Sequence, residues 1–369
     1  MDTPNFKPDS KKGKRKSKEG KNDAASKGTF LRYFQENAPN FLFTAKITTL
    51  TLFLIYIGVP IFVRSNPWIL PRVVFANLLR WPPFVNLSSP ADFGLVNARN
   101  FYLDVEDNVR IGSWHVLPKS ILVERGHIPA EKFEDELSNG KRVFLYLHGN
   151  SGTRGSHHRV QLYKLLASLD FHVVTIDYRG YGDSSGVPTE EGVVKDAYFI
   201  YKWLKQRIGN TKIFLWGHSL GTGVTTKLAK VLCNEGDLPA GIVLESPFNN
   251  MKDAATYHPF SLPFRMLPWF DWIFLKSLGD QGIFFKSDES ILSVTPHIMI
   301  LHAEDDLIVP FDLGQKLYHK AKATRTHKTK NVEFVAFKGD LGYGHKLIYQ
   351  APEIGDLIRQ FIQKCENPD

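Results

Sequence analysis

The sequence predicts an α/β fold in which a mostly parallel sheet is flanked by helices. Short apolar runs typical of buried strands alternate with helix-like runs between residues 100 and 365. One strand-like run, Lys212 to Trp216, passes through a glycine-flanked serine directly into a helix-like run. An apolar run near the N-terminus precedes this alternation and predicts a membrane helix. An aromatic-rich stretch late in the chain interrupts the alternation and predicts an inserted cap.

The first segment, residues 1–40, is predicted to be a basic disordered tail. Residues 1–28 contain nine Lys or Arg against four acidic residues, so +5 of the formal net charge of +8 is concentrated there. Such a segment cannot bury enough apolar surface to fold. A nucleic-acid-binding protein would instead have a basic stripe on its folded domain with aromatic or helical readers beside it, and the sequence has none, so no nucleic-acid partner is expected.

Residues 41–63 are predicted to be one transmembrane helix. The charge-free part, Ile47 to Val63, is 17 residues long, which reaches the lower limit for crossing a bilayer. The long segment before it and the absence of a small-residue cleavage site in Arg64-Ser65-Asn66-Pro67 disfavour a cleaved signal peptide. The alternative is a buried helix of the folded domain.

Basic residues predict the orientation of this helix. Eleven Lys or Arg lie up to and including Lys46, which places the N-terminus in the cytosol and the folded domain across the membrane. There, Asn86-Leu87-Ser88 is an acceptor sequence for glycosylation of Asn86. Residues 64–99 are predicted to be an interfacial or linker segment. Within it, residues 71–81 have one polar and one apolar helical face, with Trp81 on the apolar face, so the helix lies either on the bilayer or on the domain.

The turn Gly217-His218-Ser219-Leu220-Gly221 has the most specific chemistry in the chain. Its strand–turn–helix context is what a nucleophile elbow requires, since the serine occupies a turn so sharp that glycines must flank it. Ser219 is therefore the predicted nucleophile of acyl transfer. A second match, Gly182-Asp183-Ser184-Ser185-Gly186, is disfavoured because its strand ends several residues too early and Pro188 follows it.

A reactive serine needs a base and an acid that orients the base. In a fold with this elbow they follow the serine in the order acid, histidine. Asp306, at the carboxyl end of a strand-like run, is the predicted acid, with Asp305 and Asp340 as alternatives. His345, on a glycine-flanked loop after the last strand-like run, is the predicted base. The histidines and cysteines lack metal-ligand spacing, so no metal or other cofactor is expected.

The oxyanion hole is expected to use two backbone N–H groups. One belongs to Leu220, directly after the nucleophile, and the other to the loop His148-Gly149-Asn150-Ser151-Gly152. Asn150 is the expected second donor and Ser151 is the alternative. The loop could also be a plain glycine-rich turn between a strand and a helix.

Residues 247–295 are predicted to form the cap. The stretch PFSLPFRMLPWFDWIFL contains six large aromatic residues, and its three prolines favour short broken helices. Four of the aromatic residues are expected to bind substrate in an acyl-chain pocket or a membrane-facing lid, and the alternative is that they form the core of the cap itself. They are Phe260, Phe264, Trp269 and Phe270.

These motifs resemble the α/β-hydrolase domain family, and within it the membrane-anchored lysophosphatidylserine lipases. The most specific stretches are LYLHGNSGTRG, VVTIDYRGYGDSSG, LWGHSLGTGV, LESPFNNM, LHAEDDLIVPF and DLGYGHK. The resemblance implies an α/β-hydrolase fold over residues 100–365, a single-pass position in the endoplasmic reticulum membrane and a lumenal catalytic domain. It also implies hydrolysis of lysophospholipids and monoacylglycerols, with Ser219, Asp306 and His345 as the triad.

Two other enzymatic activities and one non-enzymatic role remain open from the sequence. The first is acyl transfer to an acceptor other than water, since His172 and Asp177 have the spacing found in some acyltransferases, although residues five apart on a strand point to opposite faces. The second is the hydrolysis of thioesters by an acyl-protein thioesterase. The non-enzymatic role is that of a catalytically silent membrane tether.

Overall fold

The computed structural model describes residues 16–80, 83–323, 325 and 331–367, and within them it does not describe the side chains of residues 16–31, 34 and 36. The chain divides into two compact units, Met1–Phe62 and Val63–Asp369. The first 15 residues of the predicted tail lie outside the described residues.

An apolar helix dominates the N-terminal region. It consists of α1 (Lys16–Phe53), a π-helical turn (Leu54–Gly58) and α2 (Val59–Ser65). Within it, the 29 residues Asn37–Ser65 are long and apolar enough to cross a membrane. The tail was predicted to be disordered as far as residue 40, but the helix already begins at Lys16. Extending an existing helix costs little, and no proline occurs between Lys16 and Pro39 to stop it.

A single eight-stranded sheet forms the centre of the second unit. Its strands are β1 (Ala98–Glu106), β2 (Val109–Val116), β3 (Val143–Leu147), β4 (His172–Ile176), β5 (Ile213–His218), β6 (Gly241–Glu245), β7 (His297–Ala303) and β8 (Val332–Phe337). Their order across the sheet is β1-β2-β4-β3-β5-β6-β7-β8. The hairpin β1–β2 is antiparallel and pairs antiparallel with β4, whereas β3 to β8 are parallel to one another. The predicted mostly parallel α/β fold is confirmed.

Helices cover both faces of this sheet. The described helices of the second unit are α3 (Ile69–Phe75), α4 (Lys119–Arg125), α5 (His157–Ser168), α6 (Glu190–Lys205), α7 (Leu220–Asn234), α8 (Met251–Tyr257), α9 (Lys276–Asp280), α10 (Ser287–Ser290), α11 (Phe311–Ala323) and α12 (Ile354–Glu366). Leu145 and Leu147 of β3 belong to one buried cluster, with residues of α6, α7 and α11. Phe144 and Tyr146 belong to the other, with residues of α5 and α12. Alternate residues of one strand therefore anchor the two layers of helices.

The segment before the sheet differs from its prediction as a linker. It packs into the second unit, where Phe75, Leu87 and Leu95 are buried. Helix α3 is also shorter than the predicted helix at 71–81, because Ala76 adopts a left-handed conformation with φ 45° and ends it at Phe75. The two leucines beyond that point, Leu78 and Leu79, are exposed. Trp81 lies outside the described residues.

The cap lies between β6 and β7, where it was predicted. It contains α8, α9 and α10, a 3₁₀ turn at Pro259–Ser261 and a π-helical turn at Asp271–Leu275. The prolines prevent a continuous helix, as expected from their missing N–H groups.

Candidate active site

Ser219 lies at the junction of β5 and α7, at the carboxyl end of the parallel strands. Its backbone has a positive φ, with φ 53° and ψ −119°, a conformation that costs about 1–3 kcal/mol for a residue with a side chain. A Cβ atom added to Gly217 would lie 2.3 Å from Thr225 Oγ1, and one added to Gly221 would lie 2.0 Å from the carbonyl oxygen of Leu147. The two glycines therefore permit the close approach that the elbow needs.

A hydrogen-bonded path joins the three residues predicted as a triad. His345 Nε2 is 2.9 Å from Ser219 Oγ, and His345 Nδ1 is 2.7 Å from Asp306 Oδ2. Ser219 and Asp306 are buried, and the side chain of His345 is 8% exposed. Hydrogen bonds are electrostatically stronger in such surroundings than in water. The arrangement can move a proton from the serine to the imidazole and hold the imidazolium that results.

Asp306 is held as an anion by its neighbours. Burial acts to raise the pKa of its carboxyl, but the contacts with His302 and His345 outweigh burial and hold that pKa well below its usual range. Asp306 Oδ1 also accepts hydrogen bonds from the N–H groups of Ile308 and Val309, both at 2.9 Å. Because both oxygens are engaged, the carboxylate keeps one orientation toward His345.

Asp305 and Asp340, the two further acids considered from the sequence, lie elsewhere. Asp305 accepts a hydrogen bond from the backbone N–H of Gly344 at 3.0 Å, so it supports the loop that carries His345. Asp340 is exposed in a 3₁₀ turn, Gly339–Leu341. The structure therefore brings only Asp306 of the three into contact with the His345 ring.

Two histidines without a predicted catalytic role support the path. His302 Nε2 lies 3.4 Å from Asp306 Oδ2 and 3.0 Å from the carbonyl oxygen of Val309. His218 Nε2 donates to the carbonyl of His345 at 2.8 Å, because a carbonyl can only accept. Burial holds the pKa of His218 well below its usual range, so this imidazole is neutral. The role of His218 leaves no signal in the sequence, since it depends on contact with a loop 127 residues away, whereas His302 lies only four residues from Asp306 in the chain.

The second serine motif has a structural role. Ser184 Oγ donates to the carbonyl of Asp177 at 2.6 Å and accepts from the N–H of Gly112 at 2.9 Å. The histidine and aspartate with acyltransferase-like spacing are also apart, because His172 pairs with His115 while Asp177 binds Arg154.

The loop expected to complete the oxyanion hole lies against the nucleophile. A Cβ atom added to Gly149 would be 3.0 Å from Ser219 Cβ. The N–H of Ser151 donates to the carbonyl of Phe75 at 3.3 Å and is therefore occupied. Neither the backbone N–H of Asn150 nor that of Leu220 donates a hydrogen bond to any acceptor within residues 16–80 and 83–323. Asn150 rather than Ser151 therefore has the available amide.

Residues 74–80, here called the post-anchor segment, accept further hydrogen bonds from amide groups of this loop. Gly152 N–H donates to the carbonyl of Leu79 at 2.8 Å, and the side-chain amide of Asn150 donates to the carbonyl of Val74 at 3.3 Å. The chain that follows the apolar helix therefore supports the candidate oxyanion loop directly. From the sequence, this segment was expected only to lie on the bilayer or to pack on the domain.

The four cap aromatics lie in different surroundings. Phe260 is 79% exposed, whereas Phe270 is 4% exposed. The rings of Phe264 and Phe270 pack on Phe274 at centroid distances of 5.6 Å and 5.4 Å. Phe270 is buried within the cap itself, which was the alternative interpretation, whereas Phe264 and Trp269 are partly exposed.

His258 connects the cap with the candidate site electrostatically. Burial lowers the pKa of His258, and the positive charge that His345 can carry lowers it further. The cap residue and the candidate base therefore lie within range of each other's charge.

Comparisons with known proteins identify relatives of most of the chain. A profile of the family described as alpha/beta hydrolase fold matches residues 142–281. The chain is 46% identical over 309 residues to "Lysophosphatidylserine lipase ABHD12" of Danio rerio, which covers 84% of this chain and 81% of that protein. It is 45% identical over 311 residues to the protein of the same name from Mus musculus, with coverage of 84% and 78%. It is 38% identical over 300 residues to "Protein ABHD12B" of Homo sapiens, with coverage of 80% and 81%.

Solved structures share the fold at low sequence identity. An alpha-beta hydrolase from Vibrio vulnificus superposes with a TM-score of 0.60 at 18% identity, over 79% of this chain and 92% of that one. The Pyrococcus furiosus esterase Pf2001 superposes with a TM-score of 0.54 at 19% identity, over 78% of this chain and 98% of that one.

Proposed function

The chain belongs to the ABHD12 family of α/β-hydrolases and is itself a hydrolase, and we propose that it is a membrane-anchored serine lipase. It cleaves the fatty-acyl ester of lysophosphatidylserine and related lysophospholipids, and of monoacylglycerols. The single observation that carries the proposal is the hydrogen-bonded path from Asp306 through His345 to Ser219.

The first half of the reaction forms an acyl-enzyme. Asp306 accepts the Nδ1–H of His345, which leaves Nε2 free to take the proton of Ser219. The serine oxygen attacks the carbonyl carbon of the ester, and the N–H groups of Leu220 and Asn150 hold the oxyanion that forms. His345 then gives its proton to the departing glycerol oxygen as the carbon–oxygen bond breaks.

The second half of the reaction releases the fatty acid. Water gives a proton to His345 and attacks the acyl-enzyme carbonyl, and the same two N–H groups hold the second oxyanion. Ser219 recovers its proton from His345 as the acyl–oxygen bond breaks. The buried, ionised Asp306 stabilises the imidazolium in both halves.

The lipid substrate is supported by the relatives and by the surface of the cap. The relatives with 45–46% identity are named lysophosphatidylserine lipases. The cap exposes Phe260, Leu262 and Met266, an apolar surface that suits an acyl chain or a bilayer. The apolar helix Asn37–Ser65 would keep the enzyme at the membrane in which such substrates dissolve.

We place the protein in the endoplasmic reticulum membrane, with a cytosolic N-terminus and a lumenal catalytic domain. The excess of basic residues before the apolar run supports this orientation. Asn86 supports it too, because the residue is exposed and its Oδ1 accepts a hydrogen bond from Ser88 Oγ at 2.6 Å. The acceptor site for a glycan is therefore accessible, as glycosylation requires.

A fluorophosphonate probe tests the nucleophile. The wild-type chain in membranes should be labelled, the Ser219→Ala variant should not, and Ser184→Ala should keep its labelling because that hydroxyl only bonds backbone groups. Product analysis with lysophosphatidylserine and monoacylglycerol should then show free fatty acid. Equal labelling of wild type and Ser219→Ala would refute the nucleophile, and an acylated acceptor in place of fatty acid would indicate a transferase.

A further inference from the structure

Arg159 is a buried cation that the proposed mechanism does not use. It lies in the first turn of α5, and its side chain is on the apolar face of that helix with Tyr163 and Leu166. Only 2% of the residue is exposed. Among the residues that the structure describes, no carboxylate forms an ion pair with it, and its hydrogen bonds go to backbone carbonyls. Removing a guanidinium from water costs free energy, and a role in orienting the groups that it binds would explain why the charge is buried here.

The three carbonyls belong to the candidate oxyanion loop and its continuation. Arg159 Nη2 donates to the carbonyl of Ser151 at 2.9 Å and to that of Gly149 at 3.3 Å, and Nη1 donates to that of Thr153 at 2.8 Å. The carbonyl of Gly149 also accepts from Nδ1 of His148 at 2.6 Å. One planar, rigid fork thus binds alternate peptide groups of the same loop.

The peptide between Gly149 and Asn150 is therefore held by its carbonyl end. In a trans peptide the C=O and N–H bonds point in opposite directions. With the Gly149 carbonyl directed at Arg159, the N–H of Asn150 is directed away from Arg159. The peptide between Ser151 and Gly152 has the same arrangement. Its carbonyl oxygen accepts a hydrogen bond from Arg159, and its N–H donates one to the carbonyl of Leu79.

We propose that Arg159 is a positioning residue that orients and polarises the Gly149–Asn150 peptide so that its N–H serves the oxyanion. The inference rests on the proposed serine-lipase function and assigns a residue that acts through Asn150. A hydrogen bond from a cation to a carbonyl draws electron density from the amide and strengthens its N–H as a donor. Because the guanidinium is charged before substrate arrives, this orientation needs no reorganisation during the reaction.

The test compares Arg159→Gln and Arg159→Lys with wild type in the full chain. The substrates are a short-chain glycerol ester and its thionoester, in which sulfur replaces the carbonyl oxygen. Sulfur is a poor hydrogen-bond acceptor, so an intact oxyanion hole favours the oxygen ester. We expect kcat for the oxygen ester to fall roughly ten- to hundredfold in Arg159→Gln, less than that in Arg159→Lys, with little change in KM. The preference for oxygen over sulfur should fall by a similar factor.

Arg325 supplies a matched control. Its guanidinium also binds three backbone carbonyls, those of Val294, Thr295 and Pro296, but at the amino end of β7. The Arg325→Gln variant should keep the wild-type oxygen-to-sulfur preference, even where its unfolding temperature falls.

Several results would overturn the role of Arg159. One such result is a folded Arg159→Lys or Arg159→Gln chain with the wild-type kcat. Another is a folded variant with a lower kcat but an unchanged oxygen-to-sulfur preference. Failure of both variants to fold would also overturn the role, since Arg159 would then serve the fold alone. A wild-type chain that hydrolyses neither ester would instead refute the proposed function, so the two failures are distinguishable.

Discussion

Two glycines determine how closely the serine turn approaches the rest of the sheet. At Gly221 the atom that a side chain would meet is a backbone oxygen, that of Leu147, which cannot rotate away. At Gly217 the obstacles are Thr225 Oγ1 and the backbone of Gly221. A side chain at Gly221 would therefore have to displace the end of strand β3, and one at Gly217 would have to displace the start of helix α7.

Gly221→Ala should inactivate the enzyme by displacing the elbow from β3. We expect a loss of about 1–3 kcal/mol in the free energy of unfolding from overpacking, together with loss of fluorophosphonate labelling. Gly355→Ala is the control. Gly355 lies in helix α12, and a Cβ atom added there would make an ordinary van der Waals contact with Leu169 Cδ2 at 3.4 Å. That variant should be as stable as wild type or more so. A labelled, stable Gly221→Ala protein would contradict the account.

Glu245 is a buried acid directly beside the elbow. Its carboxylate accepts a hydrogen bond from Trp216 Nε1 at 2.9 Å, and its backbone carbonyl accepts one from the N–H of Ser219 at 2.9 Å. Burial raises the pKa of Glu245 from its ordinary 4.5 to about 7. The folded state therefore binds this proton more tightly than the unfolded state does.

The contribution of Glu245 to the stability of the protein should consequently fall as pH rises through this range. The contribution of protonated Glu245 is fully present below pH 4.5 and is lost as pH rises through about 7, with a loss on the order of 3 kcal/mol. Glu245→Gln keeps the acceptor for Trp216 without titrating. Urea unfolding at pH 5 and pH 8 should show a smaller drop for Glu245→Gln than for wild type. Equal decreases in the free energy of unfolding for the two proteins would mean that Glu245 has the same pKa in the folded and unfolded states.

Among the elements, the segment from α3 to Leu79 has the least expected role. It follows the apolar helix, and its Phe75 is fully buried against Phe285 at a ring distance of 6.4 Å. Its carbonyls at Phe75 and Leu79 accept the N–H groups of Ser151 and Gly152. An element that the sequence alone leaves either on the bilayer or on the domain thus completes the support of the candidate oxyanion loop.

Two truncations should separate anchoring from this support. A chain that begins at Val63 keeps the segment, and in detergent it should retain fluorophosphonate labelling. A chain that begins at Pro83 loses the burial of Phe75, a cost of about 3–5 kcal/mol. It also loses the carbonyls that hold the loop, so its labelling rate should fall by at least about a hundredfold. Equal labelling rates for the two chains would show that the segment is dispensable for the site.

At the scale of the whole molecule, the proposed orientation rests on charge and on one acceptor sequence. The wild-type protein expressed in mammalian cells should lose mass on treatment with endoglycosidase. Asn86→Gln and Ser88→Ala should abolish that shift, and Ser88→Thr should preserve it because threonine also completes the sequence. Lack of a glycan on the wild-type chain would argue against a lumenal domain, since Asn86 is exposed.

Much of the fold and most of the candidate site follow from patterns that are local in the chain. The elbow is a five-residue motif between a strand and a helix, and the fully buried strands appear as short apolar runs because both faces of the sheet are covered. The apolar helix is equally readable, since a bilayer requires a run of apolar residues of a certain length. These features depend on neighbouring residues, and the sequence therefore determined them without the structure.

Only the tertiary structure decided the questions that depend on distant segments meeting. It brought Asp306, rather than Asp305 or Asp340, into contact with the ring of His345, 39 residues away, and it bonded the amide of Ser151 to the carbonyl of Phe75. It also ended α3 at Phe75, and it placed Arg159 beneath the loop. The contact of Asp306 with His345 and that of Ser151 with Phe75 are hydrogen bonds between residues far apart in the chain, which no local pattern encodes.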